Sequence, residues 1–174
     1  MADVPSPSAA VPLVSTERPA TIAADGIVAG VLGAVTVAGW FLVLDSFAGR
    51  PLYTPSVLGT ALFRRGVGLD SPATLPIALD MVSMFTWVHA LVFIALGGVA
   101  SYLLAEVERR PALGFGVLLF FVVFQAGFTV AALVFFPAVL RAVGWIPVFT
   151  ANLLAASVMA AYFAWRHKTL SIAP

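Results

Sequence analysis

No cysteine occurs anywhere in the sequence, which excludes disulfides, thiol redox chemistry, iron–sulfur clusters and thiolate-bound zinc together. Charge is scarce as well. Charged residues make up 10% of the chain, against about 25% in soluble domains. The net charge of +1 leaves no basic stripe to neutralise phosphates, so a nucleic-acid partner is not expected. Only two histidines are present, His89 and His167. A membrane haem held by two histidines needs both at membrane depth, and His167 sits beyond Trp165 beside Lys168. A carboxylate metal site needs more acids than Asp45 alone, and no elbow-like turn or acid–base set suggests a serine hydrolase. The chain is therefore not expected to be an enzyme, and no cofactor is predicted. Ion carriers usually show a charged or broken helix in mid-membrane, and only Pro137 hints at one.

What the chain has in abundance is apolar length. Hydrophobic residues account for 61% of it. Four stretches run almost without charge: Gly26 to Leu44, Met81 to Ala105, Pro111 to Leu140 and Ala142 to Trp165, of 19, 25, 30 and 24 residues. A helix rises about 1.5 Å per residue, so about 20 apolar residues cross a hydrocarbon core roughly 30 Å thick. The expected fold is all-α, with four transmembrane helices in an up-down antiparallel bundle and spans near residues 22–47, 78–105, 112–137 and 146–165. Residues 1–20 carry Pro5, Pro7, Pro12 and Pro19 without a basic cluster ahead of an apolar core. They read as a disordered or partner-ordered tail rather than a signal peptide, and residues 169–174 as a C-terminal tail flanking a 21–168 membrane domain.

The connection after the first span has its own pattern. Gly49-Arg50-Pro51 breaks the helix, Thr54-Pro55 supplies an N-cap and a first-turn proline, and Arg64 and Arg65 mark an end. A short interfacial helix is predicted there, with Val57, Leu58, Ala61 and Leu62 facing lipid or the bundle. Small residues at every fourth position let helix backbones approach closely where lipid offers no hydrophobic drive. Gly26, Gly30, Ala34 and Ala38 form such a face on the first span, Gly97 and Ser101 mark the second, and Asn152, Ala156, Ala160 and Ala164 the fourth. Trp145 and Trp165 bracket the last helix at headgroup level.

Polar groups inside the spans are few enough to weigh singly. His89 is the strongest candidate, about 12 Å into the apolar part of its helix. An ionisable group at that depth usually faces the protein interior, either bonding a neighbouring helix or serving as ligand, proton carrier or cofactor contact. Alternating helix directions place Asp45, Ser83, Thr86, His89, Thr129, Thr150 and Asn152 in one half of the bundle, with Gln125 near the midplane. Asp45, Ser83, Thr86, His89, Gln125 and Asn152 form a candidate intramembrane polar site, equally suited to a pocket or to helix–helix adhesion at about 0.6 kcal/mol per hydrogen bond. Haem or pigment ligation by His89, with Met81, Met84 or Met159 as a second ligand, is the one cofactor alternative. Asp25 and Asp80 lie near helix starts, where the dipole favours anions.

With both termini inside, Arg18, Arg109, Arg110, Arg166 and Lys168 face the cytoplasm, five cations against Arg50, Arg64, Arg65 and Arg141 outside. Arginine outnumbers lysine eight to one, a bias of bacterial chains from GC-rich genomes. The runs Gly26-Ile27-Val28-Ala29-Gly30, Phe41-Leu42-Val43-Leu44-Asp45 and Gly49-Arg50-Pro51-Leu52-Tyr53-Thr54-Pro55, followed by His89, resemble small uncharacterised four-helix proteins of bacterial inner membranes. The resemblance covers roughly residues 22–105 and implies no named activity. The expected function is an accessory or structural subunit of a larger membrane assembly, respiratory or photosynthetic, whose partners are the lipid bilayer and other membrane subunits. The alternatives are a small binding or transport protein with its pocket around His89 and Asp45, and a haem- or pigment-binding redox protein.

Overall fold

The computed structural model describes residues 19–71, 74–110 and 137–166, together with the single positions 114, 115, 122, 126 and 130. Among the described residues every regular element is a helix: α1 (Pro19–Phe47), α2 (Tyr53–Phe63), α3 (Leu79–Arg109), α4 (Pro137–Val143) and α5 (Trp145–Arg166). Three of them, α1, α3 and α5, are long and apolar enough to cross a membrane. They fall where the first, second and fourth spans were expected; α1 starts three residues earlier, and α3 starts one residue later and runs four residues further. Most of the expected span 112–137, most of the N-terminal tail and the 169–174 tail lie outside the described residues.

The middle of the assembly is α1, flanked by α3 on one side and α5 on the other. Its seam with α3 repeats every four residues. The Ser101 hydroxyl donates to Ile22 O at 2.7 Å, Gly26 faces Gly97 and Gly98, Gly30 faces Phe93 and Ile94, and His89 reaches Ala34 O. In each pair one number rises by four as the other falls by about four, so the two helices run antiparallel. A β-carbon on Gly26 would come within 2.6 Å of Gly98 Cα, and one on Gly30 within 2.6 Å of Ile94 Cα. Backbone lies on backbone here, which is the packing that small residues permit inside lipid.

The seam with α5 is also antiparallel. Asp25 meets Tyr162 and Arg166, Gly33 lies under Met159 and Phe93, and the Trp40 indole donates to Pro147 O at 3.1 Å. Among the described residues, half of the buried apolar side chains are alanines, Ala29, Ala34, Ala105, Ala151 and Ala155, and the larger ones are Phe41, Val57, Leu69, Met81 and Phe163. Large apolar side chains point outward instead, among them Val35, Trp87, Leu91 and Tyr102. That inversion is what a lipid solvent allows, because tails are as apolar as leucine.

The short helix after the first span is present, but its start is built differently from the expected Thr54 cap. It begins at Tyr53, and Leu52 occupies the N-cap position in a left-handed conformation (φ 69°) with no side-chain cap of its own. The cap comes from α1: Asp45 accepts from Thr54 N–H at 2.7 Å and from the Thr54 hydroxyl at 2.8 Å. Of the four residues expected to face lipid or the bundle, Val57 is fully buried, Leu58 and Ala61 are half-buried and Leu62 is exposed. Gly59 lies so close to Met81 that a β-carbon would strike its backbone. The Ser56 hydroxyl accepts from Ala78 N–H at 3.0 Å, at the N-cap position of α3. At the same end α4 touches α2, and Gly144 (φ 85°) turns the chain from α4 straight into α5.

Candidate functional site

Four residues of the candidate polar site, Asp45, Ser83, Thr86 and His89, do not converge on one space. Ser83 and Thr86 are exposed, and their hydroxyls donate to the carbonyls of Leu79 and Val82 one turn back in their own helix. Asp45 is buried at the α2 end, occupied with Thr54. His89 meets α1 at Ala34, and the eleven residues from there to Asp45 correspond to about 16 Å of helix. A single pocket shared by His89 and Asp45 is therefore not the arrangement: they share one half of the bundle, but their levels along α1 are too far apart. Asn152 is half-buried on α5, and Gln125 lies outside the described residues.

His89 is nevertheless held in a defined way. Its Nε2 lies 3.2 Å from Ala34 O. A carbonyl can only accept, so in the neutral ring the tautomer that makes this hydrogen bond has its proton on Nε2 and a lone pair on Nδ1. Phe85 and Phe93 flank the imidazole one turn before and one turn after, with ring centroids 5.6 Å and 4.7 Å away. Phe93 in turn lies against Gly33, where Met159 arrives from α5. Phe93 and Met159 thus meet over the same α1 glycine, while Met81 is buried against Gly59 of α2. Ligation of a haem or pigment metal by His89 would have to use Nδ1.

No protein-family model matches the chain, and no curated protein or solved structure does so either. What the chain can do has to be argued from its own geometry.

The cluster that sequence reasoning missed is at the opposite end of α1. Asp25 is only 4% exposed, seven residues into the helix and past its first turn, so the helix dipole does not account for it. Its Oδ1 accepts from Tyr162 OH and from Arg166 Nε, both at 2.9 Å, and Arg166 Nη2 approaches Oδ2 at 3.4 Å. The two-point contact pins the last turn of α5 to the start of α1. Asp80, by contrast, makes an exposed pair with Arg64 at 2.7 Å. Arg50 was read as part of a breaker and as one of the outside cations; it donates to Leu75 O at 2.5 Å and lies 4.1 Å above the Tyr53 ring, tying the start of α2 to the segment that precedes α3.

The expected packing faces divide. Gly26, Gly30, Ala34, Gly97 and Ser101 all lie in the α1–α3 seam, but Ala38 is exposed. On α5 the buried positions are Ala151, Ala155 and Phe163, whereas Ala156 is half-buried and Ala160 and Ala164 are exposed. The smooth face of that helix is rotated by one residue from the expected stripe. Among the described residues no group of three or more metal-binding side chains gathers.

Proposed function

We propose that the chain is a multi-pass structural subunit of a larger protein assembly in a bacterial inner membrane, without a catalytic centre of its own. The observation that carries this reading is how its polar side chains are spent. Asp25, Arg166 and Tyr162 join α1 to α5, His89 and Ser101 join α3 to α1, and Asp45 and Ser56 bind α2 to its neighbours. Each of these contacts fastens one helix to another. The outward faces of α1 and α3, meanwhile, carry bulky side chains such as Val35, Trp87 and Leu91. Surfaces of this kind suit lipid and neighbouring membrane helices alike.

The same proposal includes a fourth crossing. The seams put Arg110 at the Asp25 end of α1, and the contact between α4 and α2 puts Pro137 at the Asp45 end. The intervening 26 residues, 111 to 136, have the length and the apolar character to return across the bilayer. Four crossings leave both termini on one side, taken here as cytoplasmic, and a respiratory or photosynthetic complex is the kind of assembly that employs such subunits. Native mass spectrometry after extraction in mild detergent tests the reading. It predicts a stoichiometric complex with other membrane proteins; a lone chain at every detergent and salt condition would contradict it.

A further inference from the structure

Among the described residues, His89 uses one ring nitrogen in the seam and has no partner for the other. Nε2 is committed to Ala34 O, and among the described residues no donor reaches Nδ1. A lone pair at membrane depth without a donor is costly, since hydrocarbon offers it nothing in place of water. Polar groups of this sort in native proteins call for an explanation, and inside a membrane that explanation is usually functional. The ring is only half-buried and so is not sealed off by the helices around it.

The surroundings narrow what would complete it. Phe85, His89 and Phe93 follow one another at every fourth residue, making a ladder of three rings along one face of α3. All three are half-buried, so the ladder lies along the rim of the α1–α3 seam rather than under it. Such a rim favours a flat aromatic molecule, which gains ring–ring contact as well as burial. The bare Nδ1 favours one that carries an O–H or N–H donor. We infer that His89, with Phe85 and Phe93, forms a binding site for a lipid-soluble phenol or hydroquinone, whose hydroxyl donates to Nδ1. Neither the oxidised quinone nor an ether of the same ring can make that bond. The site is independent of the subunit reading, because a structural subunit and a solitary protein would hold it equally.

The test uses the full-length protein in lipid nanodiscs, with nitrogen-labelled histidine and a decyl-substituted benzohydroquinone as probe. Its bis-O-methyl ether serves as the matched ligand without a donor. Binding is followed by quenching of tryptophan fluorescence and by the His89 Nδ1 resonance. The hydroquinone should bind about tenfold more tightly than the ether, the factor that corresponds to one hydrogen bond of about 1.4 kcal/mol. Its addition should move the Nδ1 resonance, and His89→Phe should reduce the two ligands to equal affinity. Because the ligand comparison is made on the wild-type chain, the test survives a variant that does not fold. Equal binding of ether and hydroquinone, or no binding of either, would overturn the inference. So would an Nδ1 resonance that already reports a hydrogen bond before any probe is added, or one that moves only when a copurified subunit is present.

Discussion

Asp25 and Asp45 lie on one helix, both buried, and neither could have been placed correctly from its neighbours in sequence. Asp25 finds its partner 141 residues away in Arg166, beyond the reach of any local pattern. Asp45 caps a helix that starts eight residues later, where Thr54 has the right chemistry to cap it alone. His89 was legible as the exceptional residue of its span; its partner was not, because a backbone carbonyl leaves no mark in the sequence. Two predictions belong at this scale. Asp25→Asn should destabilise the folded protein by about 1–2 kcal/mol, less than the several kcal/mol of a fully buried pair because the Arg166 side chain is 42% exposed and partly solvated. Reversible unfolding in mixed detergent micelles, followed by circular dichroism, measures the loss; no change would mean that the pair holds nothing. Asp45→Ala leaves two buried donors of Thr54 without an acceptor and removes a helix cap. Its expected cost is about 1–2 kcal/mol, and hydrogen exchange should speed up in α2 before it does in α1 or α3.

The helices themselves were readable because length and apolar run are enough to define a span, whatever it packs against. Which face of each helix packs was readable only where glycine made the choice unambiguous. Gly26, Gly30 and Gly97 sit where backbones touch, and no larger side chain fits there. In the alanine-rich α5, small residues occur all around the helix, so the stripe through Ala156 and Ala160 was as attractive on paper as the true one through Ala151 and Ala155. The start of α2 was hidden for the reason given above for Asp45. Substitution separates the two kinds of glycine. Gly97→Leu must push α3 off α1, because even a β-carbon there collides with the Gly26 carbonyl, and it should cost about 3 kcal/mol or prevent folding. Gly39 has open space around it, so Gly39→Ala should be neutral or stabilise the protein by up to about 1 kcal/mol through helix propensity. Equal effects from both would show that α1 and α3 do not cross at Gly97.

At the level of the whole molecule, three apolar helices with bulky side chains turned outward describe a membrane-embedded protein, held together by a narrow seam of small residues and a handful of polar fasteners. The assembly has two ends of distinct composition. One carries Asp25, Arg109, Arg110 and Arg166, and the other carries α2, α4, Arg50, Arg64, Arg65 and Arg141. Cations are divided almost evenly between the two ends, so the positive-inside bias is weak. The absence of native cysteine makes the decisive measurement clean, since every thiol introduced is the only one in the chain. Single cysteines at Val67, Glu108, Arg110 and Arg141 would be exposed to a membrane-impermeant maleimide in sealed vesicles of defined orientation. The account predicts that Val67 and Arg141 label from one side, and that Glu108 and Arg110 label from the other. Labelling of Val67 and Arg110 from the same side would mean that α3 does not cross the bilayer, and labelling of Arg110 and Arg141 from the same side would remove the fourth crossing.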